Sequence, residues 1–223
     1  MDYKALRKNP SAPQADAKIL EALRAIPVAL LSDNLHRNIG SVGLQPYHRP
    51  GPQTMAGTAL TIKSRGGDNL TYLRALEFCR PGDVLVIDAG GDITNAVVGG
   101  ILSFYAATIG ASGVVLDGAI RDIAEIRERD FPVYARGINH RGPYKDGPGE
   151  INVPVSIGGM VVNPGDIIVG DQDGLLAFPV AGVESLIERA KAQLRKEEET
   201  MQAMREGRWD RSFIDALEAR CAN

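Results

Sequence analysis

Apolar positions recur along this chain in two rhythms. From Ala17 to Ile26 the residues Ile19, Leu20, Leu23 and Ile26 share one helical face, and Val28 to Leu35 predicts a second helix after Pro27. Together they predict an N-terminal helical cap over about residues 1–50. From Met55 to Lys63 the pattern becomes that of a strand, with Ala59, Thr61 and Lys63 opposite Leu60 and Ile62. Asn69 to Cys79 returns to helical spacing. Val84-Leu85-Val86-Ile87-Asp88 and Ile167-Ile168-Val169-Gly170-Asp171 are apolar strands, led by Arg80-Pro81-Gly82-Asp83 and Asn163-Pro164-Gly165-Asp166. Pro followed by Gly predicts a type II turn before each strand, recurrent turn chemistry rather than duplicated domains.

Between these strands, Asn95 to Gly110 predicts an apolar helix opened by Gly99-Gly100, Val114 to Leu116 a short buried strand, and Asp122 to Asp130 a short polar helix. Gly118 permits a tight turn between the last two. Phe131 to Tyr134 reads as another strand. His140 to Ile151, rich in Gly and Pro, reads as a surface loop that can cover a site or pack on a neighbour. Val153 to Pro179 predicts three or so short strands, and Ala181 to Gly207 a long C-terminal helix. The second half of that helix, Lys196 to Arg205, is almost wholly polar, which suits either a solvated face or a helix crossing a subunit boundary. Alternating strands and helices predict an α/β fold, and 223 residues suit a single domain with one substantial core.

The net charge of −3 is spread among intermixed acids and bases, so no basic stripe points to nucleic acid or anionic lipid. Met1 to Pro10 is polar, with Lys4, Arg7 and Lys8 and no apolar stretch behind them, unlike a signal peptide. No apolar run approaches the roughly 20 residues that span a bilayer, and the expectation is a soluble cytoplasmic protein without membrane contact. Cys79 and Cys221 lie far apart, without CxxC spacing or a neighbouring His. His36, His48 and His140 show neither HxH nor HExxH spacing. Walker A, dinucleotide-binding and GxSxG patterns are absent from the sequence, and Asp171-Gln172-Asp173-Gly174 lacks the later acids of a calcium loop.

The chemistry concentrates at Leu116-Asp117-Gly118-Ala119-Ile120-Arg121-Asp122, where an apolar run stops beside a fixed cation and an acidic acceptor. Arg presents a rigid fork suited to a carboxylate, and Asp is a hard oxygen ligand for Mg²⁺ or Mn²⁺. Together they could hold a 2-oxo acid against a metal; an ordinary Arg–Asp pair capping a helix is the competing reading. Asp88-Ala89-Gly90-Gly91-Asp92 closes a second strand, and in an open α/β sheet both strand ends would share one rim. Solvent-exposed turn acids explain Asp88 and Asp92 equally well. Gly99-Gly100-Ile101-Leu102 could present free backbone N–H groups to a carboxylate, or could be packing glycines within a helix.

With these motifs and Asn163-Pro-Gly-Asp-Ile-Ile-Val-Gly-Asp-Gln-Asp-Gly174, the chain from about Ser32 to Gly207 resembles the RraA-like family. That family includes 4-hydroxy-4-methyl-2-oxoglutarate aldolases, oxaloacetate decarboxylases and an inhibitor of a ribonuclease. The resemblance implies a swivelling β/β/α domain assembled as a homotrimer or homohexamer with active sites between subunits. It implies that Arg121 grips the carboxylate of a pyruvate unit, that Asp122 holds a divalent metal, and that amides of Gly99, Gly100, Ile101 and Leu102 bind the same carboxylate. Asp33 is then a candidate proton donor and Glu197 an acid arriving from a neighbouring subunit. One departure stands out: Gly100 falls where the family usually has an acid that helps position a water acting as base, and Asp92 is a possible substitute. The implied activity is a metal-dependent lyase that cleaves or decarboxylates a 2-oxo acid through a pyruvate enolate; the alternative is a protein-binding regulator. A methyltransferase is rejected because no glycine-rich strand-to-helix motif is present.

Overall fold

The computed structural model describes residues 6–51 and 53–221; Lys4 of the polar N-terminal stretch lies outside them. In chain order the elements are β1 (Leu6–Lys8), α1 (Ala17–Arg24), α2 (Val28–Asn34), β2 (Gln45–Pro46), β3 (Met55–Ser64), α3 (Leu70–Ala75) with a following 3-10 turn (Leu76–Phe78), and β4 (Asp83–Asp88). Next come β5 (Ala96–Val98), α4 (Gly100–Thr108), β6 (Gly113–Ile120), α5 (Ile123–Arg127), β7 (Val133–Ile138) and β8 (Gly149–Ile151). The last are β9 (Val155–Ile157), β10 (Met160–Val162), β11 (Ile167–Gly170), β12 (Leu175–Phe178), α6 (Val183–Arg205) and α7 (Ser212–Cys221).

Parallel β3, β4, β6 and β7 form the centre of the sheet. Strands covered on both faces need apolar side chains on both, which explains their near-continuous hydrophobic runs. Alternate residues of β4 part company: Leu85 and Ile87 join Tyr72, Ala75, Ala106 and Ile126 of the helices. Val84 and Val86 instead join Val155, Ile157, Met160 and Val162 of the antiparallel β9–β10 hairpin. Helices, sheet and hairpin thus stack as the expected β/β/α layers. Strand β3 is long enough to change partners, running antiparallel to β11 over Met55–Thr58 and to β8 over Ile62–Ser64. A separate apolar cluster joins α1, α2 and the first half of α6 to Ile167, Val169, Leu176 and Phe178.

Both Pro-Gly turns form. Asp83 N–H donates to Arg80 O at 3.0 Å and Asp166 N–H to Asn163 O at 3.1 Å. Gly82 and Gly165 have φ of 90° and 87°, the region a type II turn requires at its third residue.

Several boundaries differ from those the pattern predicts. Asn95 opens no helix: Ala96–Val98 pairs with β6, and α4 begins only after Gly99. A short apolar run has no periodicity that separates a buried strand from a buried helix. Gly118 makes no turn either, since β6 continues through it to Ile120. A Cβ at Gly118 would lie 3.0 Å from that of Ala89, so glycine serves close strand approach there. The N-terminal region is not only helical, because β1 pairs with β8, and the His140–Ile151 loop accordingly ends in a strand. Val153 to Pro179 holds β9, β10, β11 and β12, one strand more than expected. Among the described residues no helix is long and apolar enough to cross a membrane.

Candidate active site

Where β6 ends, Arg121 and Asp122 leave the sheet. Asp122 has φ 59° and ψ 41°, a left-handed conformation that Asp tolerates better than most residues, and it caps α5. The resulting kink brings its carboxylate to the start of α4: Gly100 N–H donates to Asp122 Oδ2 at 3.0 Å, and Arg121 Nε lies 3.7 Å from the same oxygen. Both side chains remain partly open to solvent, at 43% and 40%. With Asn69, Val98, Gly99, Ile101, Leu102 and Pro143 they line one cleft. The first helical bond of α4 is Ser103 N–H to Gly99 O, so the amides of Ile101 and Leu102 precede it and carry the positive end of the helix dipole.

Glycine is needed at this helix start. A Cβ on Gly99 would stand 2.5 Å from Asp122 Oδ2 and 3.0 Å from Arg121 Cγ. At Gly100 a Cβ would collide with Glu125 Oε2. The Glu125 carboxylate therefore fills the space that a side chain at position 100 would take. Arg129 secures it, donating to Glu125 Oε2 at 3.2 Å and to Gly100 O at 2.8 Å. Asp92, the substitute suggested by sequence, instead caps its own turn by accepting from Thr94 N–H and Oγ1, both at 2.7 Å. Sequence reasoning missed Glu125. Its position three residues after Asp122, in the first turn of α5, was the available signal.

The loop before β8 lies against this cleft, as expected of a covering segment. Buried Asp68 holds it, accepting from Asp146 N–H at 2.7 Å and Gly147 N–H at 3.0 Å through Oδ2, and from Leu70 N–H at 2.9 Å through Oδ1. Ala96 N–H donates to Arg141 O at 2.8 Å. The loop presses so close that a Cβ on Gly142 would lie 2.9 Å from Arg121 Nη1.

Asp33 and Glu197 are brought together, but elsewhere. Gln193 Nε2 donates to Asp33 Oδ2 and to Glu197 Oε1, each at 3.0 Å, while Gln193 Oε1 accepts from Asn34 Nδ2 at 2.8 Å. Asp33 also pairs with Arg37 Nε at 2.8 Å. Both acids belong to the α2–α6 contact, and neither lines the cleft of its own chain.

Asp88 and Asp117 take structural parts. Asp88 accepts from Gly90 N–H at 2.9 Å and Ser156 N–H at 3.2 Å. Asp117 is buried, accepts from Gly158 N–H at 2.7 Å, and lies 2.5 Å from Arg136 Nε. That bond raises the Arg136 pKa further above the usual guanidinium value. The two acids tie the β9–β10 hairpin to the sheet. Burial lowers the His48 pKa, and Val133 N–H donates to its Nδ1 at 3.3 Å. The Cys79 thiol is pushed up to about 12, chiefly by burial, so it stays protonated and is a poor nucleophile. Asp171 shapes a turn, accepting from Asp173 N–H at 2.9 Å, and steadies the start of α2 by accepting from Val28 N–H at 2.8 Å.

Proteins of related sequence and fold are known. Residues 28–177 match the family model described as RraA-like, Aldolase/RraA. A protein of Halalkalibacterium halodurans, provisionally named 4-hydroxy-4-methyl-2-oxoglutarate aldolase, is 39% identical over 187 residues, 83% of this chain and 88% of its own. A Streptomyces coelicolor structure, described as an unusual member of the RNase ES inhibitor RraA family, has 28% identity and a TM-score of 0.75, covering 84% of this chain and 97% of that one. An uncharacterized protein from Pseudomonas syringae shares the fold, with 24% identity and a TM-score of 0.78 over 89% of this chain and 93% of its own. The matched residues include the central strands of the sheet, Arg121, Asp122 and the start of α4, and the chain belongs to the RraA-like family.

Proposed function

We propose that the protein is a divalent-metal-dependent lyase that releases pyruvate from a 2-oxo acid, by retro-aldol cleavage or by decarboxylation of oxaloacetate. The observation that carries this reading is the cleft in which Arg121 and Asp122 stand against the amides that open α4. A substrate carboxylate finds there a guanidinium fork and helix N–H groups, the partners it prefers. The provisional aldolase name of the H. halodurans relative supports the same class.

Asp122, with Glu125 near it, supplies hard carboxylate oxygens, and among the described residues no three acidic, His or Cys side chains converge. That sparse set fits Mg²⁺ or Mn²⁺: Mg²⁺ is commonly bound through one or two carboxylates while keeping several waters. When bound, such an ion polarises the 2-oxo group and stabilises the charge developing on its oxygen. Arg121 and the amides of Ile101 and Leu102 fix the substrate carboxylate, and Arg121 adds positive charge beside the reacting carbons. Glu125 takes the place of the acid that Gly100 lacks and orients a water for proton removal. The proton returned to C3 comes from water or from an acid of a second copy, for which Asp33 and Glu197 are candidates.

A second copy also completes the cleft, which in one chain is a small opening of about 50 Å³. A homotrimer or homohexamer in the cytoplasm is the assembly proposed. The rival reading, a protein-binding regulator, draws on the description of the S. coelicolor neighbour. Pyruvate release from a panel of 2-oxo acids, with Mg²⁺ or Mn²⁺ and after chelation, separates the two. The lyase reading expects metal-dependent release that falls at least about a hundredfold in Arg121→Lys and Asp122→Ala. Equal rates in parent and variants, or silence of the parent across the panel, would overturn it.

A further inference from the structure

Asn69 is 3% exposed and lines the cleft beside Gly99, Arg121 and Asp122. Its backbone is committed on both sides, its N–H donating to Tyr144 O at 3.0 Å and its carbonyl accepting from Leu73 N–H at 2.9 Å. Its side-chain Nδ2 donates to Val97 O at 3.2 Å, which fixes the plane of the amide. The other branch, Oδ1, has no hydrogen-bond partner among the described residues. Asn69 is also the N-cap of α3, where an Asn oxygen commonly accepts a helix N–H, yet it makes no such bond. A buried acceptor left without a donor keeps its desolvation cost and gains no bond to offset it. The other buried side-chain atoms without partners, on Ser41, Thr61, Thr71 and Tyr134, are hydroxyl oxygens of residues that do not line this cleft.

We propose that Asn69 is a specificity-determining residue whose Oδ1 accepts a hydrogen bond from a hydroxyl group of the substrate, so that the site favours hydroxylated 2-oxo acids over oxaloacetate. This rests on the pyruvate-releasing reading above. The groups around Asn69 divide by polarity. Arg121 and the amides of α4 are donors and match a carboxylate, whereas Asn69 Oδ1 is an acceptor and repels one. The C4 carboxylate of oxaloacetate brings only acceptor oxygens, while a C4 hydroxyl brings a donor. A site that hydrogen-bonds a substrate hydroxyl discriminates strongly against analogues that lack it, because its own polar group is then left unpaired. Asn69 removes no proton: it holds the O–H of the bound substrate, and as the C3–C4 bond breaks that single proton leaves Oδ1 for the water oriented by Glu125, giving the C4 carbonyl and the pyruvate enolate.

The test is the ratio of kcat/KM for 4-hydroxy-4-methyl-2-oxoglutarate to that for oxaloacetate, measured with Mg²⁺ on single preparations so that losses of folded protein cancel. Asn69→Leu removes the acceptor and is expected to lower the ratio about tenfold or more. Asn69→Asp loses the bond to Val97 but keeps an acceptor, and is expected to hold the ratio within about threefold of the parent. If Asn69→Leu does not fold, Asn69→Ser withdraws the acceptor by shortening the side chain and reads the same ratio. An unchanged ratio in the Leu or Ser variant, or equal losses on both substrates, would overturn the assignment while leaving the lyase reading intact. A parent silent on both substrates would remove the lyase reading itself, and this assignment with it.

Discussion

Arg121 and Asp122 could be read as a pair from sequence because they are adjacent and follow an apolar strand. Their conformation could not, since the left-handed φ of 59° at Asp122 is imposed by the exit from β6 and the bond to Gly100 N–H. Glu125 shows the same limit more sharply. Gly100 alone looks like a lost acid, and only the packing of α4 on α5 puts the Glu125 carboxylate into the space above it. Glu125→Gln is therefore expected to lower the kcat of pyruvate release by at least about tenfold with little change in melting temperature, because the residue is surface-facing and its partner Arg129 keeps its bond to Gly100 O. The double variant Gly100→Asp with Glu125→Ala should recover part of that loss by returning a carboxylate to the same volume. Undiminished turnover in Glu125→Gln would remove this residue from the site.

Among elements, α1, α2 and β3 were legible from their periodicity, and β4 and β11 from apolar runs that follow a Pro-Gly turn. The elements missed, β1, β5 and the continuation of β6 through Gly118, are short or apolar throughout, and their state is decided by the strand beside them. The covering loop illustrates how an element acquires a function through one distant contact. Asp68 is fully buried, has no cationic partner among the described residues, and is satisfied by three backbone N–H groups. Replacing it by Ala leaves those donors unpaired, and a loss of about 2–3 kcal/mol in unfolding free energy is expected from denaturant titration. Hydrogen exchange at the Asp146 and Gly147 amides should quicken, and KM for the oxo acid should rise because the loop no longer holds Gly142 against Arg121. Unchanged exchange at both amides would mean that the loop is held by other contacts.

At the scale of the whole molecule, the exposed face of α4 is not explained by a single chain. On α4, Ile101, Phe104 and Tyr105 are 80%, 59% and 50% exposed, directly beside the cleft, and large apolar side chains clustered on a surface mark an interface. If a second copy covers them, Phe104→Glu should shift the species in sedimentation velocity toward the monomer and reduce pyruvate release together with it. A monomeric parent would defeat that proposal. Asp33 and Glu197 belong to the same scale, since Gln193 joins them to each other and neither lines the cleft of Arg121 in its own chain. Local spacing and side-chain chemistry thus determined the α/β class, the turns and the Arg121-Asp122 doublet, because periodicity and adjacency act over a few residues. Tertiary structure alone decided that Glu125 stands at Gly100, that Asp68 fastens the covering loop, and that Asn69, a residue of the cleft, keeps a buried side-chain oxygen without a partner among the described residues. Each of these joins segments far apart along the chain or packed on different elements, whose distances are set by the packed sheet and helices and leave no mark in the local pattern.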